Sequence, residues 1–570
     1  MSAISQRTVR FLVLLVWLFT ITTSTAQTFS FFKTGDGEAS KFPKHEVRAV
    51  WLTTIGGLDW PRSYARDAAS VARQQRELTD ILDRLQRAGI NTVLLQVRIR
   101  GTVIYPSLFE PVDGCLSGVP GKQPGYDALQ FAIDECHQRG MELHAWVVTI
   151  PVGKWNATGC RELRKKYPLL IKKIGDEGYM DPENRQTATY LADICDEITR
   201  NYDVDGIHLD YIRYPETWHL RVSNDEGRRH ITNIVETIAR KVKARKAWVK
   251  MSCAPIGKFD NLSRYHSYGW NAYTKVCQDA QGWLRNGLMD ALFPMMYFQG
   301  NHFFPFAIDW SEQSYGRIVV PGLGIYFMSP AEKNWALDVI TREMYVLRQY
   351  GMGYAFFRSK FFTDDLKGIY SFTKNEFSRY PALVPAITWQ WAQRPLPPRQ
   401  MSVHTVKGDV MLSWSGAVDH SDAPYLLYNV YAGRTYPVDV KDARNLIAVR
   451  RRATELRVPA ERADRYYAVT AIDRYGNESE ALQSMAPQHS VERPKMLKCD
   501  GYRVQLPAKG SFLDADVVVV EGVDGCMVAT YPYVGATLNV ARLNNGIYVL
   551  QSLNRKGVNH RLGFFMIKRK

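Results

Sequence analysis

Residues 203–217, DVDGIHLDYIRYPET, place Asp205, His208, Asp210 and Arg213 in a segment whose apolar alternation is that of a buried strand. Side chains of a strand point alternately to opposite faces, so if Ile207 and Leu209 pack one way, His208 and Asp210 face the other way together. The same parity in NTVLLQVRI sets Gln96 and Arg98 opposite Leu95, Val97 and Ile99, and in MELHAWVVT it sets His144 and Trp146 opposite Leu143, Ala145 and Val147. Three neighbouring strands that present such residues near their C-terminal ends describe a site better than a set of isolated buried polar groups. Its central group is Asp210. A carboxylate with Arg213 or His208 near enough to keep it ionised suits a nucleophile or a general base. Metal ligation by His144, His208 and Asp210 is the rival chemistry, as in a deacetylase or amidohydrolase, but the first strand offers no His-x-His to complete the set.

Elements able to hold these residues follow from the alternation around them. Between residues 45 and 378, short β-rich runs are followed by amphipathic helical patterns, which argues for a parallel sheet with helical crossovers. The strand candidates are EVRAVWLTT, NTVLLQVRI, MELHAWVVT, DGIHLDYI, VKMSCAPI, DALFPMMYF, RIVVPGLGIY and GYAFFRS. In the first helix Leu78, Ile81, Leu82 and Leu85 recur at i, i+3, i+4 and i+7, with Gly89 as its stop; further helices are expected from Tyr126 to Arg139 and from Asn334 to Tyr350. Asp181 ahead of Pro182 reads as a helix N-cap. The expected fold class is α/β, a (β/α)8 barrel of the TIM type followed by small all-β domains; a doubly wound open sheet fits less well because no Gly-rich phosphate loop follows any strand. Lumen-facing residues at strand C-termini then gather at the barrel mouth, where barrel enzymes build their sites.

The chain has 570 residues and a net charge of +16, but its basic residues are scattered, with only RRRATELR and the C-terminal IKRK standing out, so nucleic acid is not the expected partner. Arg7 and Arg10 precede the apolar run FLVLLVWLF and the small residues Ser24 and Ala26, the pattern of a signal peptide over 1–26; the expected protein is exported, with no membrane span after cleavage. The eight cysteines show no CxxC pair, so neither a metal cluster nor any cofactor is expected. Residues 27–44 read as a leader, 45–380 as the barrel and the proline-rich 381–399 as a linker. Short alternating strands fill 400–488, which resembles a fibronectin type III domain through Trp414, YNVYAG and YYAVTAIDRYGNES. A second β unit, 493–570, resembles the C-terminal sorting domains of some Bacteroidetes secreted proteins through LNNGIYVLQ and FFMIKRK. On this division a fragment of residues 27–385 is expected to fold by itself.

EVRAVWLTT, INTVLLQVRIRGTVIYPS, YDALQFAIDECHQRGMELHAWV, MDPENRQTATYLADICDEI and YDVDGIHLDYIRYP together resemble, in order and spacing, the glycosyl hydrolase-like 10 family of bacterial exported proteins. The resemblance implies a barrel glycoside hydrolase acting on bacterial cell-wall or other polysaccharide glycan; a monomer is the expected state. By position it makes Asp210 the family's strand-four aspartate, with His144, Trp146 and Arg98 from the neighbouring motifs. Tyr211 stands where many relatives carry a second acid, and Met295 replaces Gln in PMMY, with Tyr297 retained. Glycoside hydrolysis commonly needs two carboxyl groups. Glu110, in YPSLFEP, is the expected acid, with Asp309 and Asp260 as runners-up; Asp205 and Asp290 open strands and read as structural. The expected substrate contacts are Arg98, His144, Trp146, His208, Tyr211, Arg213, Tyr297 and Gln299, while Trp51 is left undecided. A carbohydrate-binding envelope protein without turnover is the non-enzyme alternative.

Overall fold

The computed structural model describes residues 41–485, 495–507, 515–534, 536–554 and 559–569. The expected signal peptide and most of the leader lie outside the described residues.

Eight parallel staves close into a barrel. They are β1 (Arg48–Leu52), β2 (Thr92–Arg98), β3 (Glu142–Val148), β7 (Gly206–Asp210), β8 (Lys250–Ala254), β9 (Ala291–Leu292), the pair β10 (Ile318–Val319) and β11 (Gly322–Leu323), and β12 (Tyr354–Phe356). Between β3 and β7 the chain inserts an antiparallel sheet of β4 (Pro151–Lys154), β5 (Ile171–Ile174) and β6 (Glu177–Met180), which the sequence did not announce. β10 pairs with β9 and β11 pairs with β12, so these two pieces are the halves of one stave broken at Pro321, which has no N–H to give. Backbone bonds run through the break, from Val320 N to Leu292 O and from Ala355 N to Pro321 O, and they complete the ring.

Helices α1 (Ala68–Arg87), α2 (Ala128–Gln138), α3 (Arg185–Asn201), α4 (Asn224–Arg245), α5 (Ala280–Arg285), α6 (Phe304–Glu312) and α7 (Leu337–Gln349) cover the outside. On α1 the buried residues Leu78, Leu82 and Leu85 form the expected stripe. α3 begins later than its sequence suggested: Asn184 caps it by accepting from Gln186 N, and Asp181 instead closes the preceding turn on Glu183 N. The lumen is filled by Ala49, Trp51, Leu94, Trp146, Val148, Ala254, Phe293, Val320 and Ala355.

One expected orientation is reversed. The pairing of β2 with β3 slips between Gln96 and Arg98, so that Gln96 sits opposite Trp146 but Arg98 sits opposite Val147. A bulge of one residue moves every later side chain to the other face, and Arg98 therefore faces the helices, not the lumen.

The sandwich that follows has β13 (Arg399–Val406), β14 (Asp409–Ser415) and β17 (Glu455–Val458) in one sheet, and β15 (Leu427–Gly433), β16 (Leu446–Arg451), β18 (Tyr466–Ile472) and β19 (Leu482–Gln483) in the other. It belongs to one compact unit with the barrel. The proline-rich stretch between them is not a free tether: Leu383, Val384 and Ile387 are buried, and Trp389 Nε1 donates to Asp290 Oδ1 at 2.7 Å. Two sandwich arginines close the barrel floor. Arg450 reaches Glu142 Oε1 at 2.8 Å and Asp205 Oδ1 at 2.6 Å, and Arg474 reaches Asp205 Oδ1 at 3.1 Å.

Residues 485–570 form a separate unit. Its strands are β20 (Arg503–Gln505), β21 (Ala515–Gly522), β22 (Met527–Pro532), β23 (Thr537–Asn539), β24 (Gly546–Asn554) and β25 (Asn559–Ile567), in sheets ordered β22-β21-β24-β25 and β20-β23, over a core that includes Val518, Val520, Leu550 and Phe565. Among the described residues no helix is long and apolar enough to cross a membrane.

Candidate active site

Asp210 ends β7 with its side chain on the lumen side. Trp146 Nε1, from β3, donates to Asp210 Oδ2 at 3.1 Å, and the backbone N–H of Tyr211 donates to Oδ1 at 2.7 Å. Thr149, between β3 and β4, fixes the backbone by donating from both N and Oγ1 to the Asp210 carbonyl. Burial raises the pKa of Asp210, and Arg213 together with the Trp146 and Tyr211 N–H groups only partly opposes it.

The next residue bends the chain. Tyr211 has φ of 55°, a left-handed conformation that a residue with a Cβ adopts only when its surroundings hold it there. Its ring carries the Arg213 guanidinium 3.8 Å from the centroid, and its hydroxyl donates to Glu216 Oε2. Arg213 Nη2 lies 2.8 Å from Glu216 Oε1. Burial acts to raise the pKa of Glu216, but the bonds from Arg213 and Tyr211 outweigh it and leave the group below its usual value. Tyr211 therefore joins two carboxyls of opposite tendency, Asp210 through its N–H and Glu216 through its O–H. Tyr297, half-buried at the end of the β9 stave, completes the wall; its hydroxyl pKa is pushed up by burial first and then by Tyr326 and Asp210.

Glu216 was not among the sequence candidates, although it is the last acid of the quoted stretch and stands three residues after Arg213, a spacing at which opposite charges meet. Glu110, the expected acid, is 4 % exposed and locked. Arg98 Nε and Nη2 donate to both its oxygens at 2.7–3.0 Å, and Tyr190 Oη of α3 donates to Oε1 at 3.0 Å, all on the helix side of the wall. Neither Glu110 nor Arg98 is thus presented to a ligand at the mouth. Asp309 is engaged by Arg264 and Gln281, and Asp260 accepts from Asn261 N.

The two histidines are buried among protein partners as well. His208 accepts from Trp51 Nε1 at 3.2 Å on Nε2 and faces Ser252 Oγ at 3.0 Å on Nδ1, and burial, followed by the nearby His144, holds its pKa well below the usual value. A neutral imidazole with both nitrogens engaged does not keep Asp210 ionised, and Arg213 is directed to Glu216. His144 lies lower, 3.1 Å from Glu142 Oε2, as part of the barrel floor and not of the mouth. Trp51 is packed core, 2 % exposed between Phe293 and Phe357. Gln299 is exposed on the loop after β9. Among the described residues no three of His, Cys, Asp and Glu converge as a metal-binding group. A cavity of about 580 Å³ opens beside the mouth, lined by Ile55, Arg62, Tyr64, Arg100, Gly153 and Lys154, and could receive an extended ligand.

A closed (β/α)8 barrel with a carboxyl group at the end of its fourth stave has the architecture of a barrel enzyme. Residues 46–226 and 219–333 match the model of the glycosyl hydrolase-like 10 family, and the chain belongs to that family. It is 27 % identical over 477 residues to glycosyl hydrolase YngK of Bacillus subtilis (strain 168), covering 76 % of this chain and 92 % of that protein. It is 30 % identical over 286 residues to glycosyl hydrolase DigH of Escherichia coli (strain K12), covering 44 % of this chain and 65 % of that protein. Among solved structures, the glycoside hydrolase domain of PgaB (BpsB) from Bordetella bronchiseptica aligns with a TM-score of 0.38 at 13 % identity, over 56 % of this chain and 99 % of that one.

Proposed function

We propose that this protein is a glycoside hydrolase that cleaves O-glycosidic bonds in bacterial cell-wall or another polysaccharide glycan, with Asp210 and Glu216 as its working carboxyls. The observation that carries the reading is the bridge through Tyr211, which joins a carboxyl whose pKa is raised to one whose pKa is lowered. Environments that drive a pair apart assign their roles. Asp210, the readier of the two to hold a proton, protonates the departing glycosidic oxygen. Glu216, held ionised by Arg213, supports the anomeric carbon as nucleophile or as base for water. This inverts the role the sequence suggested for Asp210. Trp146 and Tyr297 border the sugar, and membership of a glycosyl hydrolase-like family supports the reaction class. The apolar run Phe11 to Phe19 behind Arg7 and Arg10 supports export, and the three-plus-four strand order of the sandwich supports the fibronectin type III reading of that segment.

Peptide-free glycan strands incubated with the wild type, Asp210→Asn and Glu216→Gln test the proposal by mass analysis of the products. Shortened oligosaccharides are expected from the wild type and not from either variant. Undiminished cleavage by both variants would overturn the assignment.

A further inference from the structure

Lys258 follows β8 by four residues, on the face of the barrel where strands end. Its side chain runs beneath the loop Ser267–Trp270 and the turn Gly300–His302, and the residue is 5 % exposed. The ammonium donates to His302 Nδ1 at 3.0 Å and to the Tyr268 carbonyl at 3.4 Å. The rings of Phe298 and Phe306 lie 4.9 and 5.0 Å away. Among the described residues no carboxylate comes within 4.0 Å of the ammonium, and no acceptor takes its third N–H. Burial lowers the Lys258 pKa with no acid offsetting the effect, which agrees with that geometry. Buried charges in proteins are ordinarily paired, so this one stands out. Other buried cations of the barrel have their acids: Arg48 has Glu46, Arg98 has Glu110 and Lys250 has Glu142.

The cover over Lys258 is aromatic and open to solvent. Tyr268 is 53 % exposed and Trp270 is 45 % exposed, on the same loop whose carbonyl touches the ammonium. Exposed flat rings present the apolar surface on which the C–H face of a pyranose packs, and an ammonium nearby supplies the charge for an acidic substituent. A Cβ at Gly269, between the two rings, would stand 2.6 Å from Lys258 Nζ, so a side chain there requires the ammonium to shift.

Resting on the glycan reading of the mouth, we infer that Lys258, His302, Tyr268 and Trp270 form a subsite for a sugar unit that bears a carboxylate. The carboxylate takes the free N–H of Lys258, the sugar ring lies on Tyr268 or Trp270, and His302 holds the ammonium in place. The site makes the enzyme selective for acidic over neutral glycan without contributing to bond cleavage.

The test is binding, which does not require turnover. Peptide-free glycan strands carrying their lactyl carboxylates, and the same strands with those carboxyls reduced to alcohols, are titrated into the full chain carrying Asp210→Asn by calorimetry. The acidic strands should bind about tenfold tighter or more, the size of one lost charge-assisted hydrogen bond. Lys258→Met should abolish the preference and Lys258→Arg should retain it. Should Lys258→Met fail to fold, Trp270→Ala at the exposed ring should weaken both ligands alike and keep the preference. Equal binding of the two ligands by the parent, binding of neither, or a preference unchanged in a folded Lys258→Met would overturn the inference. Tight selective binding by a wild type that releases no products would instead refute the hydrolase reading and leave the subsite standing.

Discussion

Replacement of Arg450 by Met would disturb the barrel from a residue outside it. Arg450 is buried with its two nitrogens on Glu142 and Asp205, which are 1 % and 3 % exposed. In Arg450→Met each carboxylate keeps other partners. Glu142 retains Lys250 Nζ at 2.9 and 3.1 Å, and Asp205 retains His137, Arg474 and the Leu143 N–H. The expected cost is therefore at the low end of that for breaking a buried ion pair, about 3 kcal/mol at pH 7. Its pH dependence follows from the acids. Glu142 is held down to about 2 by Lys250 and Arg450 against its burial, and Asp205 is held well below its usual value by His137, Arg450 and Arg474, also against burial. Depressed carboxyls stabilise the fold above their unfolded pKa values and lose that contribution as pH falls through the folded ones. Without Arg450 both folded values rise, so the gap between wild type and variant should narrow from pH 7 towards pH 3. Urea unfolding at the two pH values measures it. Coincident curves at pH 7, or a gap that does not shrink on acidification, would refute the reasoning.

A barrel fragment ending at residue 385 loses Arg450 and Arg474 together, and it should be insoluble or unfold well below the temperature of the full chain, contrary to the independence the proline-rich stretch suggests; comparative melting decides it. Asp210→Asn should lower kcat by at least about 100-fold, the scale of one lost proton-transfer group, with little change in melting temperature. The proposed roles need Asp210 protonated and Glu216 ionised, so kcat/KM should fall below the lowered Glu216 pKa and above the raised Asp210 pKa, and Arg213→Met should move both limbs to higher pH; a profile unchanged by that variant would exclude the pair. Glu110→Gln should destabilise the fold, because Arg98 stays buried with a weakened partner, yet the folded fraction should keep wild-type specific activity, as active-site titration with denaturation would show.

The eight staves were legible because each is a local pattern: β-rich runs of the right length, separated by helices with a 3.6-residue stripe and glycine stops. Parity placed His208 and Asp210 correctly for the same reason, since the alternation in β7 is unbroken. What required the tertiary structure depends on contacts between distant segments. The bulge that turns Arg98 outward exists only in the pairing of β2 with β3, and it takes Glu110 with it. Glu216 joined the site through the left-handed bend at Tyr211, which side-chain periodicity does not encode. His144 differs from Trp146 only by depth, two residues nearer the floor, where Glu142 and two arginines from hundreds of residues away determine what is buried. Composition and periodicity report which face of an element is apolar; they carry no information on which charges meet across 245 residues of chain, as Asp205 and Arg450 do, and the fold alone decides that.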